Sequence, residues 1–189
     1  MNPDMNEGSR TKLMARSAEE PSFFIREARP EDAAALIAYF RRIFAEPGIN
    51  LITEVDEFSP TVESESRIIR EMARASNSLF LVAESEDRLV GQLTLEGGKR
   101  RNVYHAAVLG ITVANEWRGR GVGRQLMQHA IRWARAGGIL TRIELHVFAR
   151  NERAIHLYEE CGFVLEGRRK KSVIRDGEFL DDLIMGLLL

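Results

Sequence analysis

The sequence predicts a single α/β (α+β) domain with its elements in the order β, α, α, β, β, β, α, β, α, β, β. Three observations predict it. Short β-rich runs and stretches of helical period succeed one another along the chain. Val108 to Arg135 passes from an apolar strand, through a glycine-arginine turn, into a long amphipathic helix. Near the end, two β-rich runs flank Asp176 and Gly177, a dipeptide that favours a two-residue hairpin turn. At 189 residues the chain suits one domain and is long enough to bury a core.

The elements follow from residue chemistry. Met1 to Pro21 is polar, of mixed charge and without sustained periodicity, which predicts a flexible tail; Met5 and Met14 leave room for a later natural start. Ser22 to Ala28 is aromatic and β-branched, as a first strand should be. Pro30, Glu31 and Asp32 suit a helix's first turn, and Leu36, Phe40, Ile43 and Phe44 recur at helical spacing until Pro47 and Gly48 end the helix. Thr61 is placed to cap a second helix with Ile68, Ile69 and Met72 on its apolar side. Glu54, Asp56, Glu57, Glu63 and Glu65 cluster here, as a solvated face or as an electrostatic lure for a cationic amine.

Leu79 to Ser85 and Arg88 to Glu96 should pair as a hairpin, and Tyr104 to Ala114 is the next strand. In the following helix Val122, Leu126, Ala130, Trp133 and Ala134 share one stripe, closed by Gly137 and Gly138. Ile143, Leu145 and Val147 alternate with Glu144, His146 and Phe148, a strand with one polar face. Asn151 should cap a short helix ending at Gly162. Phe163 to Ile174, carrying the basic run Arg168 to Lys171, and Glu178 to Leu189 form the last hairpin.

Composition bounds the function. Hydrophobic residues at 44% and charged residues at 29% are proportions of a soluble globular protein. A net charge of −1 gives no global electrostatic case for nucleic acid. The single cysteine, Cys161, excludes an internal disulfide framework and fits a reducing compartment. No apolar run approaches the roughly 20 residues that cross a bilayer, and the N-terminus lacks a signal-peptide core. The predicted address is cytoplasmic, with no membrane partner.

The turn in Val108 to Arg135 makes an anion site. The first N–H groups of a helix lack internal partners and the dipole places partial positive charge there. Gly119, Gly121 and Gly123 allow close backbone approach, while Arg118, Arg120 and Arg124 supply charge-assisted donors. The alternating glycines do not fit G-x-G-x-x-G, and no lysine or hydroxyl follows Gly123 as a P-loop requires. What remains is R-x-x-G-x-G, carried by Arg118, Gly121 and Gly123. A tight turn with surface arginines is the plainer account.

This turn resembles the acyl-CoA pyrophosphate loop of the GNAT (Gcn5-related N-acetyltransferase) superfamily. A second segment, NERAIHLYEECGF, is similar to the family's N-x-x-A-x-x-x-Y-x-x-x-G-F, through Asn151, Ala154, Leu157, Tyr158, Gly162 and Phe163. The resemblance covers about Ser22 to Leu189, and its C-terminal part looks like the branch containing ribosomal-protein alanine, spermidine and amino-acid acetyltransferases. It implies one mixed, mostly antiparallel sheet of about seven strands with a splayed central pair, flanked by about four helices.

The resemblance also implies roles. Acetyl-CoA would be the cosubstrate, with no metal, and a primary amine the acceptor, attacking directly in a ternary complex. Gly119, Arg120, Gly121, Val122, Gly123 and their neighbouring arginines Arg118 and Arg124 would hold the pyrophosphate. Ile111, Thr112 and Val113 would lie along the pantetheine, with Ile111 and Val113 pairing through their backbone as a strand would. N–H groups near Leu109 or Gly110 would meet the oxyanion. Asn151, Ala154 and Tyr158 would face the arm; Asn151 and Tyr158 are seven positions apart, ~20° around a helix and ~10 Å along it. Tyr158 would be the general acid for the departing thiolate. A core tyrosine is the structural alternative.

One departure matters. Relatives of this branch often carry a carboxylate two residues before the glycine of the L-G-I segment, where this chain has Val108. The remaining base candidates are His105, Glu144 and His146, directly or through water. A strand-edge His105 and a solvent-facing His146 are the plain alternatives. An α-amine of pKa about 7.7 to 8 is roughly a tenth or more neutral at pH 7, against fewer than about one in a thousand for a lysine-like amine. A missing base thus slightly favours an α-amino acceptor. Cys161 lacks a histidine partner and reads as packing, and His129 and His156 have no second ligand at metal spacing.

Other functions stay open. A non-catalytic acyl-CoA-binding regulatory module is motivated by Val108. A ribosome-associated N-terminal acetyltransferase, or RNA docking through Lys99 to Arg101 and Arg168 to Lys171, is motivated by the basic runs. The acceptor pocket of this fold is built from the first helices, their connecting loop and the last hairpin, and pairing through the C-terminal strands is a route to a homodimer.

Overall fold

Residues 22–189 are described by the computed structural model; the tail expected over Met1 to Pro21 lies outside the described residues. The strands are β1 (Phe24–Glu27), β2 (Leu79–Ser85), β3 (Arg88–Gly97), β4 (Ala106–Val113), β5 (Arg142–Phe148), β6 (Val164–Arg175) and β7 (Glu178–Leu188). The helices are α1 (Ala33–Phe44), α2 (Val62–Arg74), α3 (Val122–Gly137) and α4 (Glu152–Glu160). They follow the order expected from the sequence.

All seven strands form one sheet in the order β1-β2-β3-β4-β5-β7-β6. Only β4 and β5 run parallel, because α3 carries the chain back across one face between them. Their pairing runs from Ala106 opposite Arg142 to Leu109 opposite Leu145. Beyond that point the two strands part. Neither frays, since β4 stays paired with β3 as far as Val113 and β5 with β7 as far as Phe148. The sheet therefore splits in its middle while both halves remain bonded.

Two cores cover the two faces. On one, α3 contributes Leu126, Met127 and Ala130 against Leu93, Leu95, Leu109, Ile143, Leu145 and Met185. On the other, Leu36, Tyr39 and Ile43 of α1 and Ile69 and Met72 of α2 pack on Phe80 and Val82. Each fully buried aliphatic side chain is worth about 1.5–3 kcal/mol, so the faces rather than helix propensity hold these short elements.

Local chemistry sets the boundaries. The Thr61 hydroxyl accepts the Ser64 N–H at 3.1 Å and starts α2. The stripe of α2 differs from expectation: Ile68 is 44% exposed, and Glu65 joins Ile69 and Met72 on the buried side. Glu65, Ile69 and Met72 stand at i, i+4 and i+7, so one acid of the expected outward cluster turns inward. Burial pushes its carboxyl above the usual range.

Phe40 and Phe44 are partly buried: they stack on each other and meet Phe58 edge to face, and Phe40 packs against the rim of the second core. Asp176 and Gly177 both have positive φ, 51° and 78°, as the tight hairpin requires. In β6 the basic run sits on an irregular stretch between Arg169 and Val173 and is answered by acids of β7. Arg168 pairs with Asp181 at 2.7 Å, the Lys171 N–H donates to Asp181 at 2.8 Å, and Arg169 lies 3.4 Å from Asp182. Arg168 and Arg169 thus have acidic partners, while Lys170 and Lys171 make no ion pair among the described residues.

Candidate active site

The split between β4 and β5 opens into a cleft of about 890 Å³. Its walls are the free ends of the two strands, the start of α3, the inner side of α4, and the loop from Gly48 to Ile52.

At one end lies the turn before α3. Gly121 caps the helix with φ +82°, and the first helical hydrogen bond runs from the Gln125 N–H to the Gly121 carbonyl at 3.0 Å. The N–H groups of Val122, Gly123 and Arg124 precede it and have no helical acceptor. Gly123 sits where α3, α4 and β4 meet: a Cβ there would come within 3.2 Å of Leu157 Cδ2. Gly121 suits its backbone conformation, and at Gly123 a Cβ would make Leu157 give way by a few tenths of an ångström.

The arginines are placed differently from expectation. Arg118 donates from Nε to the Val113 carbonyl at 2.9 Å and from Nη1 to Asn115 at 3.2 Å, and pairs with Glu46. Arg124 pairs with Glu160 at 2.6 Å. Arg120 lies over the Trp117 ring at 5.4 Å and does not line the cleft; nor does the buried Val122 side chain, which packs beneath Gly91. All three are thus engaged with other residues of the protein, although Arg118 and Arg124 still line the cleft. Arg153 also lines the cleft beside Gly119, 3.6 Å from where a Cβ of that residue would stand, and has no ion-pair partner among the described residues. It lies between Asn151 and Ala154 in the second segment, and that position was the missed signal.

The throat runs along β4. The Ala114 N–H bonds to Val90 of β3 at 2.9 Å, so alternation turns the backbone groups of Ile111 and Val113 toward the gap. The Val113 carbonyl is taken by Arg118, which leaves both groups of Ile111 and the N–H of Val113. Thr112 points to the other face, 3.0 Å from the Tyr39 hydroxyl and accepting from Gln92 at 3.2 Å. Asn151 caps α4 by accepting the Ala154 N–H at 3.3 Å, so its side chain has a structural task at the cleft wall.

Tyr158, only 7% exposed, lines the cleft from α4, and its hydroxyl makes no hydrogen bond among the described residues. Burial pushes its phenol well above the usual range, with the charge of Cys161 a smaller cause in the same direction. It is a protonated O–H facing a cleft. Burial likewise raises the Cys161 thiol, the opposite of what a nucleophile requires.

The three base candidates separate. His105 lies in the turn before β4, not on the strand as expected, and its carbonyl accepts the Thr141 N–H at 2.9 Å. It is four residues, ~13 Å, from Leu109, where the lining of β4 begins. Glu144 is outside the lining and pairs with Arg142 at 2.8 Å. His146 alone lines the cleft, its Nδ1 2.8 Å from Asp182 of β7. Asp182 is 2% exposed and also lines the cleft; sequence reasoning missed it.

The loop over this end is tied down. Arg175, at the end of β6 and 8% exposed, donates to the Leu51 carbonyl and to Glu54 at 3.1 Å. Arg150 donates to Asn50 at 2.9 Å.

An α/β sheet split between two parallel strands, with a helix N-terminus at one end of the split and a buried tyrosine along it, is an arrangement that suits one elongated, phosphate-bearing ligand. The chain belongs to the acetyltransferase (GNAT) family, whose sequence profile matches residues 47–163. It is similar to the L-amino acid N-acetyltransferase AaaT of Escherichia coli strain K12, 39% identical over 105 residues, 56% of this chain and 65% of that protein. It is also similar to the spermidine N(1)-acetyltransferase of Vibrio cholerae serotype O1, 33% identical over 102 residues, 54% of this chain and 58% of the relative. The chain thus spans less than two thirds of the length of these two curated relatives. Among solved structures, a GNAT-family acetyltransferase from Streptococcus pneumoniae superposes with a TM-score of 0.85 at 33% identity, over 89% of this chain and 99% of the other.

Proposed function

We propose that this chain is an N-acetyltransferase that moves an acetyl group from acetyl-CoA to a primary amine by direct attack in a ternary complex. The carrying observation is continuity: one cleft joins the glycine cradle of α3, the free edge of β4, the Tyr158 hydroxyl and His146. The donor set fits the cosubstrate. N–H groups of Val122, Gly123 and Arg124, with Arg153, would hold phosphate; Ile111 and Val113 would hold the amides of the arm. Acetyl-CoA supplies the activated acyl group.

The acceptor nitrogen's lone pair forms the new N–C bond at the acyl carbon, and the C–S pair departs on sulfur. Tyr158 gives its proton to that sulfur, a task suited to a phenol that burial keeps protonated. By the same alternation the Gly110 N–H faces Thr94 of β3, which leaves Leu109 as the residue there whose backbone turns toward β5. The acceptor's surplus proton goes to a base, for which His146 is the candidate of the three that lines the cleft. The similar proteins are named for amino acids and a polyamine, so small amines are the acceptors to test first. The same reading includes a cytoplasmic address and a homodimer joined through the C-terminal strands, which sedimentation velocity tests.

Release of CoA thiol from acetyl-CoA across a panel of amino acids, polyamines and N-terminal peptides tests the activity; no release with any amine sinks it. Tyr158→Phe should slow turnover on the order of 10²-fold while calorimetry finds acetyl-CoA affinity within about twofold. Arg153→Ala should weaken acetyl-CoA binding about fivefold, and less at high salt.

A further inference from the structure

His146 projects from β5 into the cleft on the side where Val108 leaves β4 without a carboxylate. Its Nδ1 lies 2.8 Å from an Asp182 oxygen. Asp182 comes from β7, opposite Phe148 in register, and is 2% exposed. A carboxylate can only accept, so this contact puts a proton on Nδ1 and leaves Nε2 with its lone pair. Nε2 makes no hydrogen bond among the described residues; the nearest charge on it is Glu144 Oε1, at 3.6 Å.

The charged and titratable groups around the ring are therefore few. Glu144 and its partner Arg142 stand on the same strand, Asp182 on β7 with Arg169 of β6 3.4 Å from it, and Tyr158 of α4 lines the same cleft. An imidazolium formed here would meet two carboxylates, one of them buried. The Asp182 contact holds the ring in place through Nδ1.

Resting on the acetyltransferase reading above, we propose that His146 is the catalytic base and that Asp182 is its positioning residue, replacing the carboxylate that Val108 displaces. The N–H bond of the attacking amine breaks as Nε2 gains the proton, directly or through one water. Asp182 keeps its hydrogen bond to Nδ1 throughout and takes no proton. Glu144 adds charge at a distance and makes no contact with the substrate.

The test combines kinetics with nitrogen NMR on the whole protein. His146→Gln should lower kcat/KM for the acceptor on the order of 10²-fold, with acetyl-CoA affinity unchanged by calorimetry. Asp182→Asn should lower it about tenfold to a hundredfold and shift the acid limb of the pH profile to lower pH, since the imidazolium loses its buried partner. The double variant should be no slower than His146→Gln alone, because the two act as one unit. Histidine nitrogen shifts should report the Nδ1–H tautomer in the wild type and a changed mixture in Asp182→Asn.

Additive losses, an unmoved acid limb, or an Nε2–H tautomer in the wild type would each overturn the proposal. If Asp182→Asn folds poorly, the His146→Gln rate and the wild-type tautomer still decide it. Full activity in His146→Gln removes the base and leaves the acetyltransferase intact. An absence of thiol release in the wild type removes the acetyltransferase and the base with it.

Discussion

The two ends of the cleft are built in different ways. The end proposed above for acetyl-CoA, the donor end, comes from one nearly continuous piece of chain, β4 through α4, in which the key positions are neighbours on a turn or one face of a helix. The end proposed for the acceptor amine, the acceptor end, is assembled from the Gly48 to Ile52 loop, His146 of β5 and Asp182 of β7, and is tied together by Arg175 of β6. The donor end depends on local backbone geometry and the acceptor end on contacts between distant segments. One ligand can thus be held constant while the other pocket diverges.

The largest effect should come from breaking the donor end alone. Gly123→Asp sets a side chain against Leu157 and a negative charge at the helix N-terminus, so acetyl-CoA affinity should fall by at least about a hundredfold by calorimetry. If the affinity survives, the phosphate does not sit in this turn. A tenfold effect of the opposite kind is expected from Arg175→Met, which keeps the volume and drops the tether to Leu51 and Glu54. Acceptor KM should rise about tenfold with acetyl-CoA affinity within twofold; equal losses in both would mean that the two ends are not separable.

The smallest effect concerns Glu65. Its carboxyl is raised by burial, so the folded state is penalised above the ordinary carboxylate range, and stability should grow as pH falls from the raised value toward about 4.3. Glu65→Gln should therefore raise Tm by about 2 °C at pH 8 and leave it unchanged near pH 4, with acceptor KM unaltered. A rise in KM would return Glu65 to the outward acidic cluster.

The same contrast explains what the sequence made legible. The R-x-x-G-x-G turn and the Asn151 to Tyr158 helix depend on spacing within one element, and the order of strands and helices likewise follows from local period. Asp182 lies 36 positions from His146, and nothing in a strand reading DDLIM says which acid will meet a histidine. Arg118 reads as a phosphate ligand until folding brings Glu46, 72 positions away, against it. Glu65 and Ile68 are adjacent in the helical wheel's ambiguity: either could end the apolar stripe, and only the position of the sheet decides. Glu86 and Asp87 turn the first hairpin with positive φ, 47° and 60°, without the glycine that would have advertised it.

The split in the sheet has a consequence for how the protein behaves in concentrated solution. Unpaired strand edges normally recruit strands from other chains and seed aggregates. Here the free edge from Gly110 to Val113 is four residues, ~13 Å, long and lies inside a cleft rather than on the rim of the sheet. An incoming polypeptide strand carries side chains on alternating faces and presents a second edge of its own, which the opposite wall, bonded to β7, does not match. A slim chain bearing a few amides and only small branches meets neither obstacle. The depth of the gap thus lets the fold keep an exposed hydrogen-bonding ladder without making it a template for self-association.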